Sequence, residues 1–256
     1  MPPLTSLVVG ASRGLGLELV RNLHARGSNV FATVRSPPQT PDHFPNDITV
    51  IDGVDVGEEK AGDTIVKVLD GRQLDLVIIN AGVFKTETLE KPSFADELDM
   101  YKTVAIAPVF LTHHLRKSNS FAPGAKLVLI TTEGGSIALR TKEEGGGNYG
   151  HHASKAAANM VGRLLSHDLV DDGVAVVMIH PGFMRTDMTK NVGFDKFYDS
   201  GGAVLPSEAA ASVLDFVANL SIKDTGSFWA PRGPRDIGEA ERVLGKDLPT
   251  PLRLPW

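Results

Sequence analysis

A doubly wound α/β fold, built on a parallel sheet of about seven strands, is predicted by three observations. Short β-rich apolar runs alternate along the chain with helix-length segments. In those segments apolar residues recur every three or four positions. Several of the strand runs are apolar at consecutive positions, as strands buried on both faces are.

In order, the strands are expected at 7–9, 29–34, 48–51, 74–79, 126–130 and 174–179, and the helices at 14–26, 57–70, 94–117, 152–172 and 207–219. Pro37-Pro38 and Pro41 break the chain after the second strand, and Gly145-Gly146-Gly147 breaks it before the helix at 152. Residues 182–205 carry Gly193, Gly201 and Gly202 and read as a mobile flap. The tail 231–256 has five prolines and little periodicity. It is expected to wrap the domain formed by 1–230 or to pack on a neighbouring subunit. No Ser/Gly/Pro-rich linker divides the chain, so a single domain is predicted.

Of the 256 residues 42% are hydrophobic, enough for a sizeable core. The net charge of −5 is spread without long blocks, which argues against a nucleic-acid partner, since that needs a basic face. Cysteine is absent, so neither a disulfide framework nor thiolate catalysis is available, and a reducing compartment fits. The opening lacks the basic head and apolar stretch of a signal peptide. No run of 18 apolar residues suggests a membrane span. The expectation is a soluble cytoplasmic protein with no membrane partner.

The first strand runs through Gly10-Ala11-Ser12-Arg13-Gly14-Leu15-Gly16 into a helix. Such glycines allow a tight turn and close approach of backbone to phosphate. A helix N-terminus offers free N–H groups and partial positive charge to a pyrophosphate. Placed between a first strand and an amphipathic helix, the turn marks a Rossmann fold that holds a dinucleotide. Arg13 lies in the turn and Arg35 follows the second strand, where an acidic residue would bind the ribose of NAD. Cations there suit the 2′-phosphate of NADP(H). Asp55, before Val56, is placed to accept from the adenine amino group or to cap a helix. Asn80-Ala81-Gly82 ends the fourth strand at the carboxyl edge, where ligands sit in such sheets.

Together these segments resemble the short-chain dehydrogenase/reductase family, and within it the fungal members of the small C-factor-like branch. The resemblance covers nearly the whole chain. It rests on the glycine turn, Asp55-Val56, Asn80-Ala81-Gly82, Ala153-Ser154-Lys155, and His180-Pro181-Gly182 with Thr186. It implies that Pro181, Gly182 and Thr186 flank the nicotinamide, and that Asn, Ser, Tyr and Lys form a catalytic tetrad. Only Lys155, the ribose anchor, stands unchanged. The Ser position falls at Thr132, whose hydroxyl can still bond a carbonyl although its branched Cβ restricts χ1. The Asn position falls at Val104, which bonds no water. The Tyr position, four residues before Lys155, is His151.

Tyr149 lies about 240° around a helix from Lys155 and is expected in the pocket wall instead. His152 ranks behind His151. An imidazole titrates near neutrality and can give or take a proton. A nearby Lys ammonium lowers its proton affinity, leaving a poor acid and a fair base. His151 is therefore either the proton-transfer group or a side chain filling vacated space. Glu133 and Arg140 after the fifth strand, and Arg185 and Asp187 in the flap, line the expected mouth but read as loop charges. His113 and His114 read as packing or surface residues. No metal-ligand spacing is present; the adjacent His151 and His152 point about 100° apart on a helix.

Three functions follow. The first is an NADP(H)-dependent oxidoreductase acting on a small carbonyl, alcohol or imine through His151, Thr132 and Lys155. The second is a non-redox isomerase, lyase or cyclase on the same fold with the dinucleotide bound. The third is an NADP(H)-sensing protein. By resemblance the setting is secondary metabolism. The assembly implied is a homodimer or homotetramer through the helices near 94–117 and 152–172. Ala153, Ala156, Ala157, Ala158 and Gly162 allow close approach there, either to another helix or to the chain's own sheet.

Overall fold

The computed structural model describes residues 3–37, 40, 43–235 and 237–256. Pro38 and Pro41, two of the expected chain breakers, lie outside the described residues. The strands are β1 (Thr5–Val9), β2 (Asn29–Thr33), β3 (Thr49–Ile51), β4 (Leu74–Ile79), β5 (Phe121–Ile130), β6 (Ala175–Ile179), β7 (Ser227–Ala230) and β8 (Leu252–Arg253). They form one sheet in the order β3-β2-β1-β4-β5-β6-β7-β8. All pairings are parallel except β7 with β8, where Ala230 faces Leu252. The doubly wound expectation holds, and the count rises from about seven strands to eight because the tail supplies β8. A two-residue strand has no alternation to read in the sequence.

The helices are α1 (Gly14–Ala25), α2 (Ala61–Leu69), α3 (Phe94–Tyr101), α4 (Ala107–Lys117), α5 (Tyr149–Leu169), α6 (Asp187–Asn191), α7 (Pro206–Ala218) and α8 (Ala240–Leu244). Side-chain alternation along the strands assigns the two faces of the sheet. In β1, Leu7 and Val9 join Ile65 of α2, Leu111 of α4 and Leu165 of α5. Val8 joins Leu19 of α1 and Val213 of α7 on the other face. All five residues of β6 are buried, as a central strand covered on both faces requires. Gly162 of α5 packs on Met178 of β6, so its lack of a side chain serves the chain's own sheet.

Helix boundaries differ from the sequence reading at both ends of several helices, and three of the differences bear on the site. α2 starts at Ala61 rather than 57, because the chain first makes a turn in which Asp55 Oδ1 accepts from Gly57 N (2.9 Å). The helix expected over 94–117 is broken by a π-helical turn at Lys102–Ile106. α5 starts at Tyr149 rather than 152. The flap carries α6, opened by a capping box between Thr186 and Thr189, and the Tyr198 hydroxyl donates to Thr186 O (3.0 Å). The tail is tied back as well: Leu254 N donates to Phe228 O (2.8 Å) and Ala138 N to Trp256 O (2.9 Å). Among the described residues no helix is long and apolar enough to cross a membrane.

Candidate active site

The sheet reverses its order between β1 and β4, and a cavity of about 960 Å³ opens at the carboxyl ends of these strands. Gly10 leaves β1 at φ +83°, and a Cβ there would lie 2.7 Å from Ala81 Cα. Gly10 N donates to Thr33 Oγ1 (3.0 Å), and its carbonyl accepts from Asn80 Nδ2 (2.8 Å). Asn80 is thus a brace for the glycine turn. Gly16 has no place in the cavity lining; its Cα faces the Gly10 carbonyl so closely that any side chain would overlap it. Across the cavity, the Thr186 methyl lies 3.7 Å from where a Gly14 Cβ would be.

Arg13 is the N-cap of α1 and makes no side-chain cap bond, and the first turn of α1 carries no acidic residue. The N–H groups of that turn are left for an anion. Arg13 and Arg35 are both exposed on the cavity wall. Neither pairs with a carboxylate among the described residues. Asp55, Val56, Ala81, Gly82, Ser12, Leu15, Pro181 and Gly182 complete this half of the lining. A tight glycine cradle, open helix N–H groups and two free guanidinium groups fit a dinucleotide carrying an additional phosphate.

The other half of the cavity brings Thr132, His151 and Lys155 together. Gly135 lets the turn after β5 pack on the backbone of α5, where its Cβ would lie 2.8 Å from Lys155 C. Thr132 caps that turn, its Oγ1 accepting from Gly134 N (3.2 Å), which leaves the hydroxyl proton to donate. Lys155 Nζ donates to Ile130 O (2.8 Å) and lies 3.7 Å from where a Gly82 Cβ would be. Burial lowers its pKa from 10.5 to about 8.

His151 occupies the first turn of α5, its ring stacked on Phe84 with centroids 3.9 Å apart. Its pKa falls from 6.5 to about 3, chiefly through burial and then through the charges of Lys155, His152 and Arg140. The lowered proton affinity agrees with the sequence expectation, but burial rather than the Lys ammonium is the larger cause. His152, ring centroid 5.3 Å from that of His151, is lowered as well, again mainly by burial.

Two expectations change, those for Tyr149 and Val104. Tyr149 faces Gly146 and does not line the cavity, because α5 has already begun at that residue. Val104 is buried, while its neighbour Thr103 reaches the cavity; the π turn shifts the register that a regular helix would give. Arg140 pairs with Glu133 and, at 3.1 Å, with Glu144. Arg185 pairs with Asp199 (2.6 Å) inside the flap, and Asp187 lines the cavity. His114 pairs with Asp63 (2.9 Å) away from the cavity.

Three residues in or behind the site carry no motif. Phe84 and Phe194 stand edge to face at 5.5 Å and form an aromatic wall beside His151. Glu87, buried, accepts from Gly150 N and Ser93 N and so caps α5 from a distant loop. It supplies what Asn148, the N-cap residue, does not: a side-chain acceptor for the first turn.

A family model for the short chain dehydrogenases matches residues 5–196, and the chain belongs to that family. It is 33% identical to 1-hydroxy-2-glutathionyl-2-methyl-3-butene dehydrogenase of Rhodococcus sp. (strain AD45), over 88% of this chain and 95% of that protein. It is 30% identical to the C-signal protein of Myxococcus xanthus, over 62% of this chain and 90% of the other. The NADPH-bound carbonyl reductase from chicken fatty liver superposes with a TM-score of 0.76 at 27% identity, covering 90% of this chain and 97% of that one.

Proposed function

We propose that the chain is an NADP(H)-dependent oxidoreductase that acts on a small organic carbonyl, alcohol or imine, with His151 in the place of the family's tyrosine. The observation that carries this reading is one continuous cavity. It joins the glycine turn, Arg13 and Arg35 at one end to Thr132, His151 and Lys155 at the other. The NADPH-bound chicken carbonyl reductase supports the same cofactor.

Bound there, the nicotinamide supplies hydride to a carbonyl carbon or removes it from an alcohol. Arg13, Arg35 and the first-turn N–H groups of α1 would hold the phosphates, and Lys155 the nicotinamide ribose. Pro181, Gly182 and Thr186 would flank the nicotinamide. Thr132 keeps a hydroxyl proton to donate to the substrate oxygen, and His151 closes the same side. A cytoplasmic setting and a homodimer or homotetramer belong to this reading. The exposed Phe94, Ile106 and Phe110 near α3 and α4, with Met160 and Leu164 of α5, support the assembly. Elution as a monomer at micromolar concentration would remove it.

The test is equilibrium binding of NADPH and NADH, followed by a carbonyl and alcohol panel with wild type and His151→Phe. The expected result is preference for NADPH, reduced about 10- to 100-fold by Arg35→Ala through loss of a charge-assisted phosphate contact. Turnover lost in His151→Phe completes it. Cofactor binding without redox turnover on any substrate favours a second reading, a non-redox isomerase, lyase or cyclase. The loss of the family's Asn, Ser and Tyr at Val104, Thr132 and His151 beside an intact cofactor cradle supports that alternative. Cofactor binding with neither kind of turnover leaves an NADP(H) sensor.

A further inference from the structure

Unlike a tyrosine hydroxyl, an imidazole in this position has two nitrogens, and the structure treats them differently. Nδ1 of His151 is buried with no hydrogen-bond partner among the described residues. Nε2 is not among the buried unpartnered atoms, and the ring lies on the cavity wall. A neutral imidazole carries its one proton on one nitrogen and a lone pair on the other. A buried N–H with nothing to accept it forfeits a hydrogen bond outright, and such orphaned donors are rarer in proteins than under-used acceptors. The proton is therefore better placed on Nε2, the nitrogen of this cavity-lining ring that is not buried without a partner.

Three further features oppose a second proton. The ring stacks on Phe84, planes inclined by 25°. It stands in the first turn of α5, where the helix dipole disfavours a cation. Lys155 and His152 share its helix, and Arg140 approaches from the loop after β5. The nearby carboxylates do not reverse this. Glu133 is paired with Arg140, and Glu87 is engaged by Gly150 N and Ser93 N behind the helix.

We propose that His151 acts as a neutral hydrogen-bond donor with its proton fixed on Nε2, holding the substrate oxygen without protonating it. This rests on the oxidoreductase reading above. When a carbonyl carbon gains hydride, the C=O π pair moves onto oxygen. His151 Nε2–H and the Thr132 hydroxyl stabilise that oxyanion, and water reaching the cavity delivers the proton, leaving hydroxide to the buffer. Such a site serves best those carbonyls whose reduced oxygen is weakly basic. Electron-withdrawing groups bonded to the carbonyl carbon meet that need, and the wall of Phe84 and Phe194 accepts a flat substituent beside it.

The test begins with nitrogen NMR of the full chain carrying labelled histidine, the His151 signal assigned by its loss in His151→Gln. The expected spectrum shows the proton on Nε2 and no conversion to imidazolium between pH 8 and 5, with or without NADP+. A proton on Nδ1, or titration within that range, overturns the proposal. This readout needs no turnover, so it separates failure of the proposal from failure of the oxidoreductase reading, which would show as an inactive wild type. In kinetics, His151→Gln keeps an N–H donor that cannot titrate and retains kcat within about tenfold, while His151→Phe loses about 100- to 1,000-fold. Equal loss in both variants overturns the donor role. Ketones with an electron-withdrawing α-substituent are expected to react at least about tenfold faster than simple aliphatic ones, by the same donor scale; equal rates overturn the substrate class.

Discussion

Phe84 lies against the His151 ring at 3.9 Å between centroids and 25° between planes, so one face of the imidazole never meets water. Phe84→Ala readmits water and raises the pKa of His151 from about 3 toward its ordinary 6.5, since burial is the leading cause of the depression. The linkage has a definite sign. Between about pH 3 and 6.5 the unfolded chain binds a proton that the folded chain refuses, so stability falls as pH drops through that window. Each pKa unit is worth about 1.4 kcal/mol. Urea unfolding from pH 7 to 4 is expected to show a shallower fall in Phe84→Ala than in wild type.

Lys155 gives the opposite end of the pH scale. Its pKa drops from 10.5 unfolded to about 8 folded. Below pH 8 both states are protonated and the burial penalty is fully present. Between 8 and 10.5 only the unfolded state keeps the proton, so stability rises with pH. Lys155→Met removes the penalty, roughly 3 kcal/mol at pH 7, and flattens that rise. Denaturation of the cofactor-free protein at pH 7 and 10 checks it. The same variant is expected to lose NADPH affinity.

Gly10→Ala combines a positive φ with a Cβ 2.7 Å from Ala81 Cα. Backbone faces the new methyl, so no side chain can swing aside. A loss of about 2 kcal/mol or more is expected, read as a fall in Tm. NADPH fluorescence titration should show the binding site weakened as well.

Glu87→Gln keeps an acceptor for Gly150 N but removes the charge from the start of α5. Its expected cost is about 1 kcal/mol. Glu97, whose pKa is raised by burial and then by Glu87, is expected to move back down in the variant. Carboxyl carbon NMR follows that shift.

The sheet was legible because burial on both faces leaves a mark in sequence. β6 and β4 are apolar nearly throughout, and the glycine turn between β1 and α1 sits where a backbone needs it. The start of α5 was not legible, because its capping carboxylate comes from Glu87, 63 residues before Gly150. No local window contains that pair. Thr103 was hidden by the π turn, which brings the residue before Val104 to the cavity in place of Val104 itself. Phe84 follows the Asn80-Ala81-Gly82 segment closely, yet nothing local marks an aromatic residue there as a neighbour of His151.

The two ends of the sheet carry a further consequence. β3 offers three residues and β8 only two, the latter running against its neighbour. Strands this short give an incoming chain almost no ladder to extend, which is how natural sheets avoid edge-to-edge aggregation. Open-ended, edge-to-edge growth of the sheet is thereby disfavoured.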